Sequence, residues 1–187
     1  MPDLSNLIHS LAGHSAIADA WARFVADDLV YFAIFVVALL FVRHPSLRPF
    51  LAAVTAAVFA VGLAAVIGAV YYVPRPFVSE HFTPLVQHAA DASFPSDHLA
   101  AMGAVVASAW TAARRLALAT AAASLVVAFA RVYVGVHWVT DVAAGFILGL
   151  VCGGIAWLLY GFADRWTPPF DPMLRKWRLR PDAYPGG

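Results

Sequence analysis

The sequence predicts an all-α integral membrane protein, a bundle of about five transmembrane helices with an N-terminal interfacial helix. Of its 187 residues, 62% are hydrophobic and only 12% are charged, whereas about 25% of the residues in a typical soluble domain are charged. The chain also contains long apolar runs, and a helix needs roughly 20 apolar residues to cross a bilayer. We therefore expect one membrane-embedded domain over residues 1–187.

Five apolar runs give the predicted spans. The second run contains no charged residue, whereas the first and third are close to the lower limit of about 17 residues for a spanning helix. Their ends are therefore the least well defined. The predicted spans are residues 27–42, 50–73, 97–113, 116–134 and 140–163.

The N-terminal segment, residues 1–26, precedes the first span. Its residues 4–22 mix apolar side chains with His9, His14 and Asp19. This composition favours a helix that lies flat at the membrane interface. A sixth full span over the same residues is the alternative.

Basic residues are concentrated on one side of the predicted bundle. Short loops rich in Arg and Lys mark the cytoplasmic side of a membrane protein. The pattern predicts an outside N-terminus and a cytoplasmic tail at residues 165–187, with the loop 74–96 outside. Nine of the twelve basic residues follow the first, third or fifth span: Arg43, Arg48, Arg114, Arg115, Arg165, Arg175, Lys176, Arg178 and Arg180.

Two further arginines, Arg75 and Arg131, lie on the predicted outer side. An arginine at the centre of a span costs about 2.5–3.5 kcal/mol and normally faces a partner or a cavity. Guanidinium groups bind phosphate or carboxylate oxygens in pairs. Snorkelling of Arg131 to the interface and a plain loop position for Arg75 are the alternatives, but together the two residues predict an anionic ligand.

His137 and Asp141 are four residues apart, so on a helix they share one face. A carboxylate that binds one imidazole nitrogen fixes the tautomer and prepares the other nitrogen as a base or nucleophile. A capping aspartate beside an interfacial histidine is the alternative. The same spacing continues with Gly145, Gly149 and Gly153, which predicts close packing of this face against another helix.

The segment Phe94–His98, FPSDH, reads as a helix start with Ser96 or Asp97 as the cap. A capped helix with no further role is the alternative. The free N–H groups of a helix N-terminus also suit a phosphate, and His98 in the first turn is placed to donate a proton to a leaving group. The charge of Asp97 does not favour phosphate binding, so we expect it either to tune His98 or to bind elsewhere.

Together these side chains predict a phosphoryl-transfer site on the outer side of the membrane. His137 would attack phosphorus, His98 would protonate the departing oxygen, and water would hydrolyse the phosphohistidine. The sequence has no Gly-rich phosphate loop, and its acidic residues are too scattered for an evident Mg²⁺ cluster. The alternative cation ligands in the loop 74–96 are Glu80, His81, His88 and Asp91.

The spacing of these residues resembles the type 2 phosphatidic acid phosphatase superfamily. The family motif Pro-Ser-Gly-His appears as residues 95–98, and Ser-Arg-x5-His-x3-Asp appears as residues 130–141. Arg75 and Pro76 match the end of the motif Lys-x6-Arg-Pro. The resemblance covers residues 68–141, with three departures: Gly68 for Lys, Asp97 for Gly and Ala130 for Ser.

The resemblance implies a role for each matched residue. His137 would be the nucleophile, His98 the acid and Asp141 the orienting carboxylate, and the reaction would need no metal or other cofactor. The residues implied in phosphate binding are Arg75, Ser96 and Arg131, with Asp97 and Pro76 as modulating neighbours.

The Pro-Ser-Asp-His variant is similar to bacterial undecaprenyl-diphosphatases of the bacitracin-resistance type. This resemblance implies hydrolysis of undecaprenyl diphosphate to undecaprenyl phosphate, the carrier of cell-wall precursors, at the extracytoplasmic face of the bacterial inner membrane. The partners implied are the polyprenyl lipid and the bilayer, with no nucleic acid. The alternatives are another lipid phosphate as substrate, such as phosphatidic acid or phosphatidylglycerophosphate, a catalytically inactive lipid-binding relative and, more distantly, a membrane transporter.

Overall fold

The computed structural model describes residues 4–27, 48–110 and 113–166, and every regular element in these ranges is a helix. The predicted all-α class is therefore confirmed. The predicted first span, 27–42, lies almost entirely outside the described residues, as does the tail beyond residue 166. The described helices are α1 (Leu4–His9), α2 (Ala16–Asp27), α3 (Arg48–Val70), α4 (Pro76–Ser79), α5 (Asp97–Ala109), α6 (Arg114–Tyr133) and α7 (Val139–Trp166).

Three of the described helices are long and apolar enough to cross a membrane. The qualifying segments are Phe50–Val70 in α3, Arg114–Tyr133 in α6 and Val139–Tyr160 in α7. They match the predicted second, fourth and fifth spans to within a few residues. The chain is therefore a membrane protein built on these helices.

The helix observed at the predicted third span, α5, is shorter than expected. α5 has 13 residues, about 20 Å at 1.5 Å per residue, which is less than the roughly 30 Å of a hydrocarbon core. Most of its side chains are buried, because α5 packs among α3, α6 and α7. α5 therefore forms part of the centre of the bundle.

The glycine face of α7 packs against α5, as predicted. A Cβ atom on Gly149 or Gly153 would overlap backbone atoms of α5, one on Gly145 would overlap the backbone of Ser96 directly before α5, and one on Gly103 would overlap the backbone of α7. The two helices therefore meet backbone to backbone. This contact fixes the start of α5 against the first turn of α7, where the Ser96 N–H donates to the Asp141 carbonyl over 3.1 Å.

The single helix predicted for residues 4–22 is wrong, because the chain forms two helices, α1 and α2. Gly13 between them has a φ of +82°, and its N–H donates to Asp19 Oδ1 over 3.1 Å. With 6 and 12 residues, neither helix reaches the length of about 17 that a span requires. Their exposed large side chains are almost all apolar: Leu4, Leu7, Ile17, Trp21 and Phe24.

The buried charged side chains of the described residues, with His137 and several buried serines, gather at one end of the bundle, as the sequence predicted. This end is formed by the last turn of α6, the first turns of α5 and α7, and the loop that follows α3. α1 and α2 pack against α6, and the Tyr133 hydroxyl donates to Asp19 Oδ1 over 2.8 Å. The buried polar residues there are Arg75, Ser93, Ser96, Arg131, His137 and Asp141.

Candidate active site

His137 lies in the short loop between α6 and α7 and is 1% exposed. The loop turns at Gly135, whose φ is +85°, and a Cβ atom there would collide with the rings of Phe82 and His9. His137 Nδ1 donates to the Ser93 carbonyl over 2.9 Å. Because Nδ1 then carries the proton of the neutral ring, the lone pair lies on Nε2.

Nε2 of His137 faces two guanidinium groups. Arg131 Nη2 lies 3.1 Å from it, and Arg75 Nη1 lies 3.4 Å from it. Burial lowers the pKa of His137 below its usual value, and both arginines add to this effect, while Asp141 opposes it. The ring is therefore neutral near pH 7, with its lone pair directed to the point where the two arginines meet.

Asp141 lies behind His137 but does not receive a direct hydrogen bond from it. Its Oδ2 is 3.6 Å from His137 Nδ1, which is too far for a hydrogen bond. His137 precedes α7, which begins at Val139, so the two residues do not share a helix face as predicted, although their side chains lie close together. Asp141 Oδ2 instead accepts the backbone N–H of Trp138 over 2.8 Å, as the third residue of a helix does in a capping box.

Ser93 connects the two residues, and the sequence analysis did not identify it. Its hydroxyl donates to Asp141 Oδ2, and its carbonyl accepts from His137 Nδ1. The side chain is fully buried. The only sequence signal was a small polar residue directly before Phe94, in a stretch otherwise rich in alanine.

Arg75 is fixed by three hydrogen bonds and is 4% exposed. Nη1 donates to the Val136 carbonyl over 2.9 Å, Nε donates to Asp91 Oδ1 over 2.8 Å, and Nη2 donates to the Ala92 carbonyl over 3.3 Å. The next residue, Pro76, is buried and occupies the first position of α4, where a proline is well tolerated. Pro76 therefore helps to hold Arg75 at the helix start.

Arg131 lies in the last turn of α6 and is 1% exposed, so the alternative of a snorkelling arginine is wrong. Its Nη2 contacts His137 and also His88 Nε2, at 3.3 Å. Its Nη1 lies 3.5 Å from His98 Nε2 and donates to the Ala26 carbonyl over 3.2 Å. One guanidinium group thus contacts three imidazoles and the C-terminal turn of α2.

His98 lies in the first turn of α5, and its side chain is 20% exposed. Its Nδ1 donates to Asp97 Oδ1 over 2.8 Å, so Nε2 points at Arg131. The carboxylate that replaces the glycine of the family motif therefore orients His98. Ser96 occupies the predicted cap position but makes no capping hydrogen bond, and its buried Oγ has no hydrogen-bond partner among the described residues.

The loop residues considered as cation ligands do not form a metal cluster in the part of the chain that the structure describes. Asp91 binds Arg75, and His88 contacts Arg131. His81 is exposed, and Glu80 accepts a hydrogen bond from Asn6 over 2.9 Å. Two of the four candidates therefore contact the arginines of the site.

Comparison with known proteins gives results that agree with this geometry. The profile of the PAP2 superfamily matches residues 46–165. The chain is 29% identical to the undecaprenyl-diphosphatase BcrC of Bacillus subtilis (strain 168) over 175 residues, which is 92% of this chain and 89% of that protein.

Two crystal structures share the fold. LpxE of Aquifex aeolicus superposes with a TM-score of 0.62 at 21% identity, covering 82% of this chain and 92% of that one. The first transmembrane PAP2 type phosphatidylglycerolphosphate phosphatase from Bacillus subtilis superposes with a TM-score of 0.57 at 22% identity, covering 89% and 87%. The matched profile spans more than half of the chain and includes every motif residue of the site, and the chain therefore belongs to the PAP2 superfamily.

Proposed function

We propose that this protein hydrolyses undecaprenyl diphosphate to undecaprenyl phosphate and inorganic phosphate. The observation that carries the proposal is the arrangement of His137, whose Nε2 lone pair points to the place where Arg75 and Arg131 meet. A neutral imidazole beside two guanidinium groups is suited to attack a bound phosphoryl group. Such an attack would suit a lipid phosphatase of the PAP2 superfamily.

The first step forms a bond between His137 Nε2 and the terminal phosphorus. The guanidinium N–H groups that now contact Nε2 turn to the phosphoryl oxygens, whose negative charge they stabilise. The Ser96 hydroxyl, which has no partner among the described residues, supplies a further donor. The bond between the phosphorus and the bridging oxygen breaks, and its electron pair goes to the lipid phosphate.

In this scheme His98 donates a proton to the leaving group. Asp97 binds Nδ1, so only Nε2 is directed at the site. A proton on Nε2 is transferred to the departing oxygen as the lipid phosphate leaves. In the second step His98 takes a proton from water, the water attacks the phosphohistidine, and inorganic phosphate leaves with the electrons of the phosphorus–nitrogen bond returned to His137.

Similarity to BcrC over almost the whole chain supports the polyprenyl diphosphate as substrate. The fold shared with a phosphatidylglycerolphosphate phosphatase favours a glycerophospholipid monophosphate as the second candidate. The two substrates differ in the leaving group, which is a phosphate for the diphosphate and an alkoxide for the monophosphate.

The proposed reaction takes place on the extracytoplasmic side. The positive charges that follow the predicted first, third and fifth spans support this orientation. In a Cys152→Ser background, His81→Cys should react with a membrane-impermeant maleimide on intact cells, and Arg115→Cys should react only after lysis. The reverse labelling pattern would place the site in the cytoplasm.

The test of the proposed function is phosphate release by the purified protein in detergent with EDTA. We expect release from undecaprenyl diphosphate by the wild type and none by His137→Ala, with His14→Ala as the exposed-histidine control. Loss of activity in EDTA, restored by a divalent cation, would contradict metal independence. Release only from phosphatidic acid or phosphatidylglycerophosphate would replace the substrate but keep the mechanism.

A further inference from the structure

His88 extends from the loop 74–96 into the arginine site, although it belongs to none of the three family motifs. Its Nδ1 donates to the Ala89 carbonyl over 3.2 Å, and its Nε2 lies 3.3 Å from Arg131 Nη2. The ring centroid is 6.5 Å from that of His137. A phosphoryl group that contacts Arg131 and His137 would therefore lie within reach of His88.

The fixed charges near the site include more carboxylates than guanidinium groups. Two guanidinium groups, Arg75 and Arg131, stand against four nearby carboxylates in the described part of the chain. A further positive charge in the site, such as a protonated histidine, would therefore favour the binding of a diphosphate. Asp27 lies 3.9 Å from Arg131, and Asp91 lies 2.8 Å from Arg75. Asp97 lies 2.8 Å from His98, and Asp141 lies 3.6 Å from His137.

The packing around Gly68 leaves little room for a larger side chain at this position of α3. A Cβ atom on Gly68 would lie 3.1 Å from both Ala92 Cβ and the Phe94 carbonyl. The loop that follows His88 thus occupies the space next to α3 into which a longer side chain would extend. The same loop places the His88 imidazole against Arg131.

We propose that His88 is a third cationic group of the phosphate site, and that substrate binding adds a proton to its Nε2. This inference rests on the proposed phosphatase function. In the free site His88 Nε2 accepts a hydrogen bond from Arg131, and in the bound site both groups donate to a phosphoryl oxygen.

The groups that face His88 decide the sign of the pH dependence. They are Arg131 from α6, Arg75 and Asp91 from its own loop, and His137 from the loop before α7. Burial lowers the pKa of His88 in the free site, and Arg75 and Arg131 lower it further, while Asp91 raises it. A bound phosphate dianion raises the pKa, so binding takes up a proton and weakens as the pH rises.

The kinetic test uses inorganic phosphate as a competitive inhibitor at pH 6.0 and pH 8.5. We expect His88→Gln to raise the inhibition constant about tenfold at pH 6.0, the loss of one charge-assisted hydrogen bond. At pH 8.5 the same substitution should change the constant less than about twofold, since His88 is then neutral in the wild type as well. If the ratio of the inhibition constants of His88→Gln and the wild type is the same at pH 6.0 and pH 8.5, the proposal is overturned.

His88→Lys separates a charge from a structural role, because a lysine remains protonated at pH 8.5. This variant should bind phosphate at least as tightly as the wild type at pH 8.5. The matched control is His81→Asn, an exposed residue of the same loop at a φ of +55°, which an asparagine tolerates. A loss of phosphate binding in His88→Lys at both pH values would contradict the charge role.

Proton uptake can be measured without substrate turnover, which separates this inference from the proposed function. Calorimetric titration of the protein with inorganic phosphate at pH 6.5, in two buffers of different ionisation enthalpy, counts the protons taken up. The wild type should take up more protons than His88→Gln. Equal uptake would refute the role of His88, whereas absent turnover of every lipid phosphate would refute the proposed function alone.

Discussion

The loop that carries His137 and the helix start that carries His98 hold their imidazoles in different ways. His137 is buried, and its Nδ1 donates to the backbone carbonyl of Ser93. His98 is partly exposed, and its Nδ1 donates to the carboxylate of Asp97. Both rings direct Nε2 at the same guanidinium group of Arg131. Identical side chains thus lie in different surroundings, which suit the different roles proposed for them, nucleophile for His137 and proton carrier for His98.

The largest expected effects are on kcat, and they distinguish a nucleophile at His137 from a proton donor at His98. His137→Gln should lower kcat by at least about 10⁴-fold, as removal of a nucleophile does. His98→Gln should lower kcat by about 10²–10³-fold on a lipid monophosphate, because the leaving alkoxide needs a proton. The loss for His98→Gln should be smaller on a lipid diphosphate, whose leaving phosphate is more stable.

Single-turnover phosphate release on both substrates measures these losses. The difference between substrates should appear in His98→Gln and not in His137→Gln. An equal loss on both substrates in His98→Gln would contradict a proton-donor role for this residue.

Ser93→Ala is expected to have the next largest effect, since it removes the hydroxyl that donates to Asp141 but keeps the carbonyl that accepts from His137. The loss of a hydrogen bond to a buried carboxylate should lower kcat by about 10–100-fold, with a smaller change in KM. Ser108→Ala is the matched control, because this buried serine of α5 has no side-chain partner among the described residues. Equal kcat values for the two variants would show that Ser93 acts only through its backbone.

Substitutions of Asp97 test how the imidazole of His98 is held. Asp97→Gly, which restores the family residue, should lower kcat about 2–10-fold, because His98 loses its hydrogen-bond acceptor. Asp97→Asn keeps an acceptor oxygen and should have the smaller effect. In a His98→Gln background neither substitution should lower kcat further. An additional loss in that background would show that Asp97 acts independently of His98.

The smallest expected effect is a dependence of stability on pH. The lowered pKa of His137 means that the unfolded chain, with an imidazole pKa of about 6.5, binds a proton that the folded chain does not. The free energy of unfolding should therefore fall as the pH drops below about 6.5 and stay constant above it.

Denaturant unfolding in detergent between pH 5 and 8 measures this dependence. The lowered pKa of His88 acts in the same direction, so His137→Gln should reduce the slope without abolishing it. An unchanged slope in this variant would contradict a neutral His137 in the folded protein.

The parts of the fold that the sequence predicted depend on local spacing. The period of four in Gly145, Gly149 and Gly153 predicted close contact with another helix, which the structure shows to be α5. The segment before His98 predicted the start of α5. The clustering of polar groups at one end followed from the positions of apolar runs. Each of these features depends on residues that are close together in the chain.

The parts that were missed depend on contacts between distant segments. Ser93 and His137 are 44 residues apart, and no local pattern pairs them. His88 reaches Arg131 across 43 residues, so the sequence placed it with cation ligands. His137 and Asp141 lie close together as predicted, but not on one helix face, because His137 precedes the helix. The turn at Gly13 was missed because a mixed composition does not show where a short helix ends.

The backbone contact between α5 and α7 has a consequence for how this protein can evolve. A larger residue at Gly149 would push α5 away, and α5 carries His98 on its first turn, so the change would cost activity as well as packing. A second substitution to a smaller side chain in α5 could not restore the distance between the two helices, since the backbone of α5 already forms the contact. Sequence drift is therefore expected on outward-facing positions such as Leu158 and Leu159, both 62% exposed, while the glycine face of α7 stays fixed.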